Sequence, residues 1–109
     1  MSIEEICNKY GIENYTINDD GSVDVDDEVI IWDCNLNEIP LKFNKVTGNF
    51  NCSENNLTDL KGSPKWVGGD FYSIFNKLTS LEGSPEKVDG DFYIDNSKLT
   101  NSKGCTKYI

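Results

Sequence analysis

Two groups of residues in this chain have the types and spacing to do chemistry. The first is an acidic run: Asp19, Asp20, Asp24, Asp26, Asp27 and Glu28. The second sets carboxylates beside aromatic rings, Asp70 near Tyr72 and Asp91 near Tyr93. Carboxylates at alternate positions suggest a calcium loop, which needs a central glycine and a closing glutamate. Asp20, Ser22 and Asp24 do alternate, but Gly21 falls too early and no helices flank the run. A hairpin turn with a solvated acidic rim is the better reading, and no metal is expected.

Catalysis has little to work with. The chain has no histidine, and all ten of its basic residues are lysine. A histidine-assisted nucleophile and a guanidinium clamp for phosphate or carboxylate are therefore both absent. Asp70 and Asp91 recur by period, so they read as stacked neighbours and not as an acid–base pair. The expectation is a protein that is not an enzyme and has no cofactor. The net charge of −9 is uneven: residues 1–38 hold 11 acidic residues against Lys9, whereas 39–109 hold 8 acids and 9 lysines. Without arginine, direct nucleic-acid binding is not expected.

No charged-then-apolar leader and no long apolar run stand out, so neither secretion nor a membrane span is expected. Cys7, Cys34, Cys52 and Cys105 show no CxxC or metal-like spacing. A reduced, cytoplasmic protein is the simplest expectation. Cys52 reads as a buried small hydrophobe, and Cys7 and Cys105 as the accessible thiols.

The elements that position these residues follow from a repeat. Leu36, Leu57, Leu78 and Leu99 are spaced by 21 residues, as are Val29, Phe50, Phe71 and Phe92, and also Val46, Val67, Val88 and Ile109. A fixed period of this length marks a solenoid, each turn burying its apolar face against its neighbours. Period-2 alternation predicts strands at 29–31, 50–52, 71–73 and 92–94. Pro64 and Pro85, each preceded by glycine at Gly62 and Gly83, exclude a regular helix on the return path, which is expected to be extended or polyproline-like. The row Cys34, Asn55, Asn76 and Ser97 is expected to face inward and bond free backbone groups of adjacent turns.

The stretch Phe71-x-Ser73-x-x-Asn76-x-Leu78 fits the strand-and-turn half of the leucine-rich repeat, with Val67 taking the place of the motif's first leucine. The wording of 78–85 and 67–72, after the segment 15–29, resembles a family of small leucine-rich-repeat proteins encoded by bacteriophages. The resemblance covers Tyr15 to the C-terminus. It implies a leucine-rich-repeat solenoid, right-handed, with a parallel sheet of about four strands. It also implies a bacterial protein as partner, such as a component of host defence that the phage must inhibit.

Residues 1–25 read as a cap, and 26–109 as about four repeats within one domain. Ser2 and Glu5 have capping-box spacing, Ile3, Ile6 and Tyr10 share a helical face, and Gly11 is a stop. Tyr15-Thr16-Ile17 and Val23-Asp24-Val25 around Asn18–Gly21 read as a β-hairpin. At the other end Ser102 and Thr106 replace the leucine and proline of earlier turns. That edge is expected to be polar enough for water, or covered by self-association.

Function is then sought on the outward strand face, expected to be concave. Its columns are Glu28, Asn49, Asp70, Asp91; Ile30, Asn51, Tyr72, Tyr93; and Trp32, Ser53, Ile74, Asp95, with Phe75 just beyond. β-propensity alone favours Tyr and Ile in strands. Aromatics lined up across turns beside carboxylates, however, are what a contact surface for a basic protein partner uses. The candidate site is therefore Glu28, Ile30, Trp32, Asp70, Tyr72, Ile74, Phe75, Asp91, Tyr93 and Asp95. Two other readings stay open: an acidic nucleic-acid mimic using residues 1–38, and an assembly element joined through the C-terminal edge.

Overall fold

In the structure, a computed structural model that describes residues 1–94, Ser2 opens the first element. Its hydroxyl accepts from the Glu5 N–H at 3.1 Å, and its own N–H donates to Glu5 Oε1 at 2.8 Å. This capping box starts α1, Ile3–Lys9. The helix lays Ile3, Ile6 and Tyr10 against the core and buries Cys7 completely. Cys7 is therefore not an accessible thiol: it lies one turn after Ile3 on the apolar face, and burial pushes its pKa up. Cys105 lies outside the described residues.

The hairpin follows as β1 (Tyr15–Ile17) and β2 (Val23–Val25), paired antiparallel. Asp20 holds its turn, with Oδ1 accepting from both the N–H and the hydroxyl of Ser22. The alternating positions Asp20 and Ser22 are thus bonded to each other. Among the described residues no cluster of three or more metal-ligating side chains forms.

From here each turn supplies two strands. One set is β3 (Val29–Ile30), β5 (Phe50–Asn51), β7 (Phe71–Ser73) and β9 (Phe92–Ile94), all parallel in a four-stranded sheet. The other set is β4 (Phe43–Val46), β6 (Trp66–Val67) and β8 (Lys87–Val88). These join β1 and β2 in a five-stranded sheet of order β1-β2-β4-β6-β8. Over the described residues the chain is a mainly β solenoid of stacked parallel strands with one short helix.

The return path is extended, as its prolines require, but it is a hydrogen-bonded ladder and not polyproline. Pro64 and Pro85 sit just before β6 and β8, where no ladder N–H is demanded of them. The hairpin belongs to this ladder too. Val25 pairs with Val46, and Val46 with Val67, so the valine column extends back into the hairpin, with a shift of register between Val23 and Val25.

The core lies between the two sheets. Val25, Val46, Val67 and Val88 face Val29, Phe50 and Phe71, with Leu57, Leu60, Leu78 and Leu81 closing the corners, all essentially without exposure. Phe50, Phe71 and Phe92 stack in a continuous column, with centroids 5.5 and 5.0 Å apart. Cys52 is wholly buried in the same layer, its thiol pushed up to about 12 by burial. No helix among the described residues is long and apolar enough to cross a membrane. Leu99, Ile109, Ser97, Ser102 and Thr106 lie outside the described residues, as does the C-terminal edge.

Candidate binding face on the four-stranded sheet

Two side-chain ladders fix the strands that carry the candidate residues. The inner ladder is built from asparagine. Asn55 Oδ1 accepts from the N–H groups of Cys34 and Leu36, and its Nδ2 donates to the carbonyls of Ile31, Cys52 and Ser53. Asn76 repeats the pattern one turn later, accepting from Leu57 N–H and donating to the Cys52 carbonyl and Ser73 Oγ. Both are buried, so these bonds satisfy turn amides that water does not reach. Cys34, which heads the row, is half-buried.

The outer ladder runs along the first candidate column. Asn49 Oδ1 accepts from the Asp70 N–H, and Asp70 Oδ1 from the Asp91 N–H, each at 2.8 Å. Glycine precedes each ladder residue at Gly48, Gly69 and Gly90, because the turn before occupies the space a Cβ would take, at Gly48 with the backbone of Asp27 and Glu28. At Gly90 that atom is the Asp70 carboxylate oxygen, and at Gly69 it is Asn49 Oδ1. The recurrent Gly-Asp pairs are thus a packing requirement.

The carboxylates also hold the tyrosines. Tyr72 Oη donates to Asp70 Oδ2, and Tyr93 Oη to Asp91 Oδ2, both at 3.0 Å. Bonding to a carboxylate raises the pKa of each phenol, and the surrounding negative charges add to the effect. The two rings stack at 4.9 Å between centroids, 4° from parallel. Tyr72 is half-buried and Tyr93 is 42% exposed.

The remaining candidates extend this surface. Ile30 is in register with Asn51 and, through it, with Tyr72. It is 44% exposed, and Trp32 is 48% exposed. The Trp32 indole N–H donates to Glu54 Oε2 at 2.7 Å, which draws the ring across to the next turn. Ile74 is half-buried, its N–H donating to Ser53 Oγ, and Ser53 itself is buried although it shares the outward column. Glu28 is exposed at the edge of the face. Asp95 lies outside the described residues.

Phe75 is the least expected member. It is 51% exposed and adopts φ 55°, the left-handed region that bulky side chains avoid. Asp33 and Glu54, one turn apart in the same column, share that conformation with φ 53° and 56°. The turn geometry is therefore a property of the repeat, and an apolar ring has been placed where a polar residue is the norm. Glu54 was not among the candidates from sequence. Its signal was its position one turn plus one residue beyond Trp32, within reach of an indole N–H. Trp66, by contrast, is half-buried on the other sheet, with its N–H on Asp89 Oδ2 at 3.1 Å.

The face therefore presents stacked phenols, an indole, a phenyl ring and isoleucines, interleaved with carboxylates at Glu28, Glu54, Asp70 and Asp91. Chemically it offers flat apolar contact area and cation–π surface with negative charge beside it. Comparison of the chain with family models, with curated proteins and with solved structures finds no match.

Proposed function

We propose that this chain is a leucine-rich-repeat protein, capped by its helix and hairpin, that works as a non-enzymatic protein-binding module. Its four-stranded sheet, on the side expected to be concave, receives a basic segment of a partner protein. The observation that carries this reading is the ordered pair Tyr72–Tyr93, each ring tethered by its own carboxylate. Pre-positioned aromatic rings lose little freedom on binding, and carboxylates beside them select a cationic partner. In this reading, following the resemblance to small phage proteins, the chain acts in the host cytoplasm and inhibits a bacterial or defence protein.

The acidic-mimic reading is less well supported, because several of its carboxylates already serve the fold. Asp24 Oδ1 accepts from Asn44 Nδ2 and Lys45 N–H, Asp26 from Thr47 Oγ1, and Asp27 from Asn14 Nδ2 and the Glu28 N–H.

The test compares capture of a bacterial partner by the native chain, by a Tyr72→Ala/Tyr93→Ala variant and by a variant neutralised at Asp19 and Asp20, followed by affinity measurement. Loss of at least about tenfold in the tyrosine variant alone supports the sheet face. Retained binding there, with loss on neutralisation and a steep dependence on salt, favours the mimic.

A further inference from the structure

At the corner where the return path enters the five-stranded sheet, the structure holds a second feature, remote in sequence from the tyrosines. Gly62 and Gly83 adopt φ of +94° and +88° in successive turns, and each packs against the backbone of the turn before. Beside them lies a cavity of about 290 Å³, lined by Lys42, Lys61, Lys65, Ser63 and Glu86 and floored by Phe43. Three lysines and one glutamate among the lining residues, with Asp20 paired to Lys42, leave this a cationic spot on a chain of net charge −9. All three lysines are exposed.

Ser63 supplies the independent observation. It is only 7% exposed, its N–H is bound to the Leu60 carbonyl, and its Oγ has no hydrogen-bond partner among the described residues. A buried hydroxyl left in this state is a cost to the fold that native proteins rarely leave in place. As the side chain stands the oxygen is out of solvent reach, and a change of rotamer about the Cα–Cβ bond is what brings the hydroxyl to the cavity. A ligand oxygen there satisfies the hydroxyl while its charge is balanced by the lysines. Lys42 also makes an ion pair with Asp20 at 3.5 Å, with both side chains more than 60% exposed, a contact weak enough for an anion to displace.

We propose that this corner is an anion site for a phosphate-type dianion, either inorganic phosphate or the phosphoryl group of a small monoester. Lysine binds phosphate as a point charge, and the hydroxyl gives the site its direction. A volume of this size lies at the small end of ligand pockets and leaves room for an organic substituent. The site is separate from the binding face, so the two readings stand or fall independently.

The experiment follows backbone amide resonances of the whole chain during titration with inorganic phosphate, and separately with phenyl phosphate, at constant ionic strength. The expected result is a saturable shift centred on Gly62, Ser63 and Gly83. Tighter binding of phenyl phosphate assigns the site to monoesters, and equal binding to the inorganic group. Lys61→Gln with Lys65→Gln should weaken binding by at least about fivefold. Ser63→Ala should weaken it by about threefold while leaving Tm unchanged or raised, since no internal bond is lost. Shifts that never saturate, shifts scattered over the other lysines, or a Ser63→Ala variant of lowered Tm would overturn the proposal.

Discussion

Tyr72 and Tyr93 lie one turn apart with their rings 4.9 Å from centroid to centroid, and each phenol donates its proton to the carboxylate two residues before it. Because Asp70 also accepts the Asp91 N–H, one side chain joins the strand ladder to the exposed rings. The same atoms therefore bear on both the fold and the contact surface.

This linkage makes the phenols reporters of the face. Their pKa values are raised, so their contribution to stability is complete below the ordinary tyrosine value of 10 and is lost as pH climbs through the folded-state values. Ultraviolet titration of the native chain should show the two phenols ionising later than in the unfolded chain. In an Asp91→Asn variant the Tyr93 phenol should ionise earlier than in the native chain, and an unchanged titration would count against the bond.

Phe75 sets stability against function. Its left-handed backbone costs a bulky L-residue about 1 kcal/mol relative to glycine. Phe75→Gly should therefore raise thermal stability, while binding through the sheet face weakens. Denaturant unfolding and the affinity assay read the two effects separately, and a Phe75→Gly chain that is less stable would show that the ring contributes packing.

Asn55 should be among the most sensitive positions in the chain. Replacement by alanine removes the acceptor of the Cys34 and Leu36 N–H groups and the side-chain donor of the Ile31 carbonyl, while the Cys52 and Ser53 carbonyls keep Asn76 Nδ2 and the Asp33 N–H. A loss of about 3 kcal/mol is expected by chemical denaturation. Gly83→Ala should be comparably severe, because its Cβ would meet the Lys61 backbone at 2.5 Å and φ is +88°.

Strong acid should loosen the hairpin. Bonds from Ser22, with Lys42 nearby, hold Asp20 down to about 2 from an ordinary 3.8. A depressed carboxylate stabilises above its unfolded value and loses that contribution as pH falls through the folded one, so the loss spans roughly pH 4 to pH 2. Protection of the Ser22 and Gly21 amides relative to their intrinsic exchange rates should fall over that window, and in Asp20→Asn it should already be reduced at neutral pH.

Thiol reactivity offers a further check. In a Cys105→Ser background Cys34, half-buried, should react with an aromatic disulfide in the native state. Cys7 and Cys52 should react only on unfolding, since both are wholly buried and their thiols are held above the ordinary range.

Much of this was legible in the residues. The 21-residue columns identify the phenylalanine and valine rows of the core, the inward asparagines and the strands of the exposed face, because each column meets one environment in every turn. The second sheet was not legible: Trp66–Val67 and Lys87–Val88 are pairs too short to show alternation, and the prolines before them mask their pairing. Cys7 is buried through its place one turn after Ile3, a relation that a helix of seven residues shows only once in the sequence. The tethers from Tyr72 to Asp70 and from Trp32 to Glu54 depend on rotamers, which no spacing specifies. Phe75 could be placed near the face, but its left-handed backbone emerges only beside Asp33 and Glu54.

The two side-chain ladders run in opposite senses. Asn49 and Asp70 take protons from the turn that follows them, whereas Asn55 and Asn76 take theirs from the turn before. Between the turn of Asn49 and Asn55 and the turn of Asp70 and Asn76, the two ladders therefore cross the same junction from opposite sides. Removal or insertion of 21 residues would keep every later column in register, like a zip shortened by complete teeth. An insertion of any other length sets every later side chain against the wrong partner. Such a molecule can change its reach, and the length of the face it presents, without redesigning its interior.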